Sequence, residues 1–256
     1  MGSSQDGERV LLTGVSGAVG RHMAKVLVEA GYAVVGLDLA PPPEPVARLL
    51  ADFHAGDLAD ARFVEQAMAS SKSVVHLAAS PRVETPFDDL FAANYVGSVR
   101  VYEAAVRHKL RRVVVASSVH AAGGERRRPT DVEKPVRIHT AEPTSHYGLS
   151  KVWLEQAGGF FARSHDLSVV ALRLGWFIRN PEEQQQLARS RNRDVYVSHD
   201  DAGRLFLAAL RADVPPGRCV VAFGMSRQVK NSFDLTEAMQ LQYEPQDVFP
   251  EGLRLD

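Results

Sequence analysis

The chain has 256 residues, 45% hydrophobic and 24% charged, with a formal net charge of −1. That length and apolar content support a substantial core, in one large unit or two unequal ones. The near-neutral balance gives no basis for nucleic acid or an anionic membrane as a partner, and one cysteine, Cys219, excludes an internal disulfide framework and fits a reducing compartment.

Met1 to Glu8 is polar and carries no apolar signal region. No apolar run approaches membrane-spanning length, so the expected location is the cytoplasm. Val10 to Thr13 reads as a strand. It runs into Thr13-Gly14-Val15-Ser16-Gly17-Ala18-Val19-Gly20, and Ala18 to Ala30 reads as a helix ended by Gly31. A strand, a glycine-rich turn and a helix make a phosphate site: the glycines permit a sharp turn and close approach, and the helix N-terminus offers N–H groups to an anion. Tyr32 to Asp38 is a second strand with an acidic end. The prolines Pro41, Pro42, Pro43 and Pro45 predict a loop without regular structure. Asp52 to Ala55 is a short strand leading into Gly56-Asp57-Leu58, and Ala61 to Ala69 is helical. Ser73 to Ala79 is a fourth strand, and Asp88 to His108 reads as one long amphipathic helix containing Asn94. Arg112 to Ala116 is a β-branched strand ending at Ser117-Ser118.

Gly123 to Thr144 is polar, and its Arg126-Arg127-Arg128 run reads as a solvated loop. Ser145 to Ser164 is helical, and Ser168 to Leu174 is a sixth strand. Pro181 to Arg193 is polar and rich in Gln and Arg. Ser198 resembles an N-cap, with Asp200 and Asp201 opening a helix through Ala212. Cys219 to Phe223 is a last strand, whose cysteine reads as a buried structural thiol; Asp234 to Leu241 is a short helix. Repeated strand–helix units predict an α/β, doubly wound parallel sheet with helices on both faces. The whole chain, 1–256, is expected to form a single unit, with 175–256 capping the carboxyl ends of the strands where such sheets bind ligands.

Asp38 follows the glycine turn by about 20 residues, where a carboxylate can accept hydrogen bonds from an adenosine ribose and repel a 2′-phosphate. That choice favours NAD over NADP. Tyr147 and Lys151 stand at i and i+4, on one face of their helix. An ammonium beside a phenol favours the phenolate, and such a tyrosine can take a proton from an alcohol while hydride leaves the same carbon. Ser118 ends the preceding strand, where it can hydrogen-bond the reacting oxygen.

This set resembles the short-chain dehydrogenase/reductase superfamily, in its extended, epimerase/dehydratase-like branch. The likeness covers roughly the first two thirds of the chain. Its T-G-x-x-G-x-x-G is Thr13 to Gly20, its G-D-[LI] is Gly56-Asp57-Leu58 and its H-x-A-A is His76-Leu77-Ala78-Ala79. The resemblance implies a Rossmann-like fold that holds NAD through Gly14, Gly17, Ala18, Val19, Gly20, Asp38, Leu39, Asp57, Leu58, Leu77, Ala78, Ala79, Asn94, Tyr147 and Lys151. Ser118, Tyr147 and Lys151 would be catalytic, and no metal is implied. Dimerisation through the helices holding Asn94 and Tyr147 is common in the superfamily, so a homo-oligomer is compatible with the sequence.

Within the branch the chain looks most like bacterial NAD-dependent uronate dehydrogenases, on Val83 to Phe87, Ala116 to His120, Ser198 to Asp201 and Phe223-Gly224. That likeness implies oxidation of a hexuronate to an aldarolactone. Ser80, Ser118 and His120 would contact substrate, and Arg191 would bind its carboxylate through a bidentate guanidinium. Arg189 and Arg193 compete for that last role. Val119 and Trp176 depart from the pattern, each placing an apolar group where a polar one is expected at the sugar site, and Phe177 to Ser190 is longer than the pattern. These changes are expected to spare NAD use while moving the substrate away from glucuronate and galacturonate. Two other readings stay open: an epimerase or dehydratase that retains its NAD, and a non-catalytic NAD-binding sensor.

Overall fold

The computed structural model describes residues 7–123, 135–190 and 193–249. In chain order the regular elements are β1 (Arg9–Thr13), α1 (Ala18–Glu29), β2 (Ala33–Asp38), α2 (Glu44–Ala47), β3 (Asp52–Ala55), α3 (Ala61–Met68), β4 (Ser73–His76) and α4 (Phe87–Leu90). A π-helical stretch, Phe91–Gly97, joins α4 to α5 (Ser98–Arg107). Then come β5 (Arg112–Ser118), α6 (His146–His165), β6 (Val169–Leu174), β7 (Trp176–Phe177), α7 (Pro181–Arg189), β8 (Tyr196–Val197), α8 (His199–Arg211), β9 (Cys219–Gly224) and α9 (Thr236–Gln240).

Seven strands form one sheet in the order β3-β2-β1-β4-β5-β6-β9, and every pairing in it is parallel. Alternation along the strands builds two cores. Val10, Leu12, Val34, Val75, Val114 and Val170 face α1 and α8, meeting Met23, Leu27, Leu205 and Phe206. Leu11, Val35, Val74, Val113 and Val169 face the other way, onto α3, α5 and α6, meeting Met68, Tyr102 and Phe161. Each such side chain, fully buried, contributes about 1.5–3 kcal/mol relative to exposure. The strand order reverses between β1 and β4, which opens a crevice at their carboxyl ends.

A third apolar cluster sits over that end of the sheet. It joins Val119, at the end of β5, to Leu187, Val195, Phe223, Phe233 and Phe249, with Trp176 packed against it. At its base, β7 and β8 pair in a separate two-stranded ladder, Trp176 opposite Tyr196 and Phe177 opposite Val197.

Two expectations need correction, and one stretch without an expected element gains one. The proline cluster does not exclude regular structure: α2 begins at Glu44 with Pro45 in its first turn, where a missing N–H costs nothing. The helix expected over Asp88–His108 is divided by the π-helical stretch, which inserts one extra residue per turn without disturbing the apolar pattern enough to show in sequence. The polar stretch after Asn180 is helical. Asn180 caps it by accepting from the Glu183 N–H at 2.9 Å, and Pro181 with two glutamates fills the first turn. Cys219 is partly buried, and burial pushes its thiol up to about 12. The Arg126–Arg128 run lies outside the described residues.

Candidate active site

The glycine turn has the shape a pyrophosphate needs. Gly14 has φ +74°, and a Cβ there would come within 2.7 Å of the Ala78 nitrogen, so the loops after β1 and β4 touch only because the side chain is missing. A Cβ on Gly20 would lie 2.0 Å from the Gly14 carbonyl oxygen. Gly17 is exposed and starts α1 with no side-chain cap, which leaves the first-turn N–H groups of Ala18, Val19 and Gly20 without a side-chain acceptor. Asp38 closes the cradle from β2: its carboxylate accepts from the Ser16 N–H at 2.9 Å and the Leu39 N–H at 2.7 Å. Leu39 is exposed beside it. Past β3, the Asp57 carboxylate accepts from the Ala59 N–H at 2.9 Å, and Leu58 is buried. These features fit a dinucleotide laid across the β1/β4 crevice.

A hydrogen-bond relay ties the cradle to the helix beyond. The Thr13 hydroxyl accepts from the Ala78 N–H at 3.3 Å and lies 2.8 Å from His76 Nδ1. Ser98 spends its one proton on the Asn94 carbonyl at 2.9 Å, so the His76 Nε2–H donates to Ser98 Oγ at 3.1 Å and, in the neutral ring, Nδ1 accepts from the Thr13 hydroxyl. His76 is 3% exposed, and burial, aided by the Lys151 charge, lowers its pKa to about 3.

A cavity of about 700 Å³ opens where β4, β5 and β6 end. It brings together Val19, Leu77, Ala79, Ser118, Val119, His120, Tyr147, Lys151 and Trp176 from the sequence expectations. Ser145 caps α6, accepting from the Gly148 N–H at 3.0 Å, and so fixes the turn that presents Tyr147. The Lys151 ammonium donates to the Ala116 carbonyl at 2.8 Å and sits 5.6 Å from the Tyr147 ring centre. Burial pushes the Tyr147 phenol above its usual value, against the opposing pull of a Ser118 hydrogen bond and the Arg179 charge. Burial lowers the Lys151 ammonium to about 8, with Glu155 opposing. The His120 ring meets Tyr147 edge-on at 5.9 Å.

Other expected residues stand elsewhere. Asn94 is buried and not among the cavity's lining residues. Its amide clamps the chain: Oδ1 accepts from the Ser80 N–H at 2.8 Å, and Nδ2 donates to the Ser80 carbonyl at 3.3 Å and to Ser150 Oγ at 3.0 Å. Ser80 is held by its backbone beside the cavity, with its hydroxyl 3.5 Å from that of Thr85. Arg193 donates to the Ala188 carbonyl at 3.1 Å and lies over the Phe249 ring, turned away from the cavity. Arg191 lies outside the described residues.

Sequence reasoning missed Arg179, Glu183 and Gln186, which form a polar wall of the cavity on and before α7. The signal was visible: Asn180-Pro181-Glu182-Glu183 is a helix start, and Arg179 and Glu183 stand four apart. The Glu183 carboxylate accepts from Arg179 Nε at 2.7 Å and from the Arg179 backbone N–H at 2.9 Å. Burial would raise the Glu183 carboxyl, but the Arg179 hydrogen bonds and charge outweigh it and lower its pKa. Trp176 stands on the same cavity wall as this ion pair.

A doubly wound sheet with a glycine cradle at its switch point, and a serine, tyrosine and lysine gathered beyond it, defines a dehydrogenase-type dinucleotide fold. Residues 10–181 match the family described as the NAD dependent epimerase/dehydratase family, and the chain belongs to it. The chain is 30% identical over 240 residues to a uronate dehydrogenase of Pseudomonas syringae pv. tomato, covering 93% of this chain and 82% of that one. It is also 30% identical over 252 residues to an NAD-dependent glucose-6-phosphate dehydrogenase of Haloferax volcanii, covering 93% of each. Among solved structures it resembles a uronate dehydrogenase from Agrobacterium tumefaciens, a mutant complexed with NAD. The TM-score is 0.78 at 28% identity, with 94% of this chain and 85% of that one covered.

Proposed function

We propose that the chain is an NAD-dependent dehydrogenase that oxidises a hydroxyl of a small sugar acid, in the manner of uronate dehydrogenases. The observation that carries this reading is the placing of Ser118, Tyr147 and Lys151 in one cavity beside the glycine cradle. The dehydrogenase relatives, which span nearly the whole chain, support it.

The cradle from Gly14 to Gly20 would hold the pyrophosphate, and Asp38 the adenosine ribose. Leu77, Ala78 and Ala79 would flank the nicotinamide. NAD, when bound, supplies the hydride acceptor. Tyr147, as its phenolate, takes the proton from the substrate hydroxyl and becomes the phenol, and the Ser118 hydroxyl hydrogen-bonds the same substrate oxygen and orients it. Lys151 supplies positive charge from a desolvated site, and the Ala116 carbonyl fixes where that charge sits. β7 and α7 would cover the substrate end, while α8 and β9, also within the expected cap, belong to the main core and sheet.

Purified protein incubated with NAD and a panel of hexuronates, aldose phosphates and neutral aldoses should accumulate NADH with at least one anionic sugar, read by absorbance. Tyr147→Phe should bind NAD normally and lose about 100- to 10,000-fold in turnover. Absence of NADH from every substrate would overturn the dehydrogenase reading, and full activity in Tyr147→Phe would remove that residue from proton transfer.

A further inference from the structure

We propose that Arg179, braced by Glu183, is the specificity-determining residue of the cavity and receives the anionic group of the substrate. The inference rests on the dehydrogenase reading of the site and names the substrate chemistry that the site selects.

A guanidinium carries five N–H donors in a planar fork. Glu183 takes the inner side of the fork, through Nε at 2.7 Å and through a contact with Nη2. No acceptor among the described residues engages Nη1, so the outer edge is left for a ligand. The Arg179 side chain is 44% exposed while that of Glu183 is only 12% exposed. The carboxylate is thus the hidden brace and the guanidinium the face turned outward. Glu183 accepts from the Arg179 backbone N–H through one carboxylate oxygen and from the Arg179 side chain through the other, so both oxygens are already engaged. It is poorly placed to repel or bind a second group.

The neighbouring cations are less suited. Lys151 is buried and committed to the Ala116 carbonyl. Arg82 lines the same cavity, but no described side chain fixes it. Arg193 is turned onto Phe249. Arg179 alone among these combines a fixed position, a free donor edge and a place in the cavity whose field reaches the Tyr147 phenol. A small sugar with its reacting hydroxyl at Tyr147 would point its far end at α7. A carboxylate or a phosphate there would meet a fork suited to two parallel hydrogen bonds.

The test is binding to the NADH-loaded protein, which cannot take a second hydride, so affinity is read without turnover. Calorimetric titrations compare glucuronate and galacturonate with glucose 6-phosphate, and each with its neutral parent sugar. At least one anionic sugar should bind about tenfold or more tightly than its neutral parent, as expected for charge-assisted hydrogen bonds. The carboxylate and phosphate arms tell which anion the site takes. Arg179→Met should abolish that preference and leave the neutral sugar's affinity unchanged, and Arg179→Lys should keep part of it. The inference is overturned if the wild type shows no preference, or if Arg179→Met weakens acid and neutral sugar alike. It also falls if the preference survives in Arg179→Met and disappears in Arg191→Met. A preference lost in Arg179→Met, in a protein that forms no NADH with any sugar, would sink the dehydrogenase reading and leave this inference standing.

Discussion

Glu155 lies one turn beyond Lys151 and behind the site. Its carboxylate takes a two-point contact from Arg173, at 2.8 Å and 2.7 Å, and a third bond from the Ser117 hydroxyl at 2.5 Å. Both side chains of the ion pair are 3% exposed. Arg173 also donates to the Thr140 carbonyl at 2.7 Å and stands over the Phe223 ring. One buried pair thus ties α6, β5, β6 and β9 to the loop before α6. Removing a single partner strands a charge in the interior, which costs about 3–5 kcal/mol. Glu155→Ala should lose that much in denaturant unfolding, and a loss under about 1 kcal/mol would show that water reaches Arg173 after all. The same change withdraws the charge that opposes the depression of Lys151, so its pKa should fall further. That Tyr147, Lys151 and Ser118 meet in one cavity was legible in sequence, because the i, i+4 spacing and the strand-end position bring them together. Glu155 and Arg173 were not, since each is an ordinary charged residue until the sheet places them face to face.

The π-helical stretch turns Asn94 inward, to clamp the backbone of Ser80 and the Ser150 hydroxyl. The relay through Thr13, His76 and Ser98 then joins β1, β4 and α5 at the edge of the cradle. This relay needs His76 neutral. Unfolded, His76 would bind a proton near pH 6.5; folded, it does so only near 3. The unfolded chain therefore holds the extra proton between those values, and stability falls as pH drops through that window. His76→Asn should remove this part of the slope in thermal melts taken from pH 7 to 4. Part of the slope should remain, because burial and the His199 charge also lower His22. Wild type and variant melting in parallel would exclude His76 as the source. The sequence period signalled a helix here, but not its interruption: a π-helical stretch of 7 residues is too short to set a period of its own.

Across the whole molecule, the alternation of strands and helices was legible because the buried strands are short Val- and Leu-rich runs and the long helices α1, α5 and α8 each carry an apolar face. The small ladder of β7 and β8 was not, because two-residue strands carry no periodicity. Cofactor binding should be felt by the entire fold. A ligand that binds only the native state at about 100 times its Kd adds about 2.7 kcal/mol. NAD should therefore raise the melting temperature clearly more than NADP does. Asp38→Ala should shrink the NAD shift and bring the two together, whereas an unchanged gap would clear Asp38 of any part in the choice. The β7–β8 ladder has a further consequence. Its two strands stand side by side at the feet of everything between Phe177 and Tyr196. That segment leaves the ladder and returns to it at one point, like a drawer on a single rail. Its length and contents can vary between descendants of the same ancestor at small entropic cost, since closing a longer loop between fixed ends is only slightly harder. Substrate preference can thus evolve by exchange of this one cassette, while the seven-stranded frame and its cofactor cradle stay as they are.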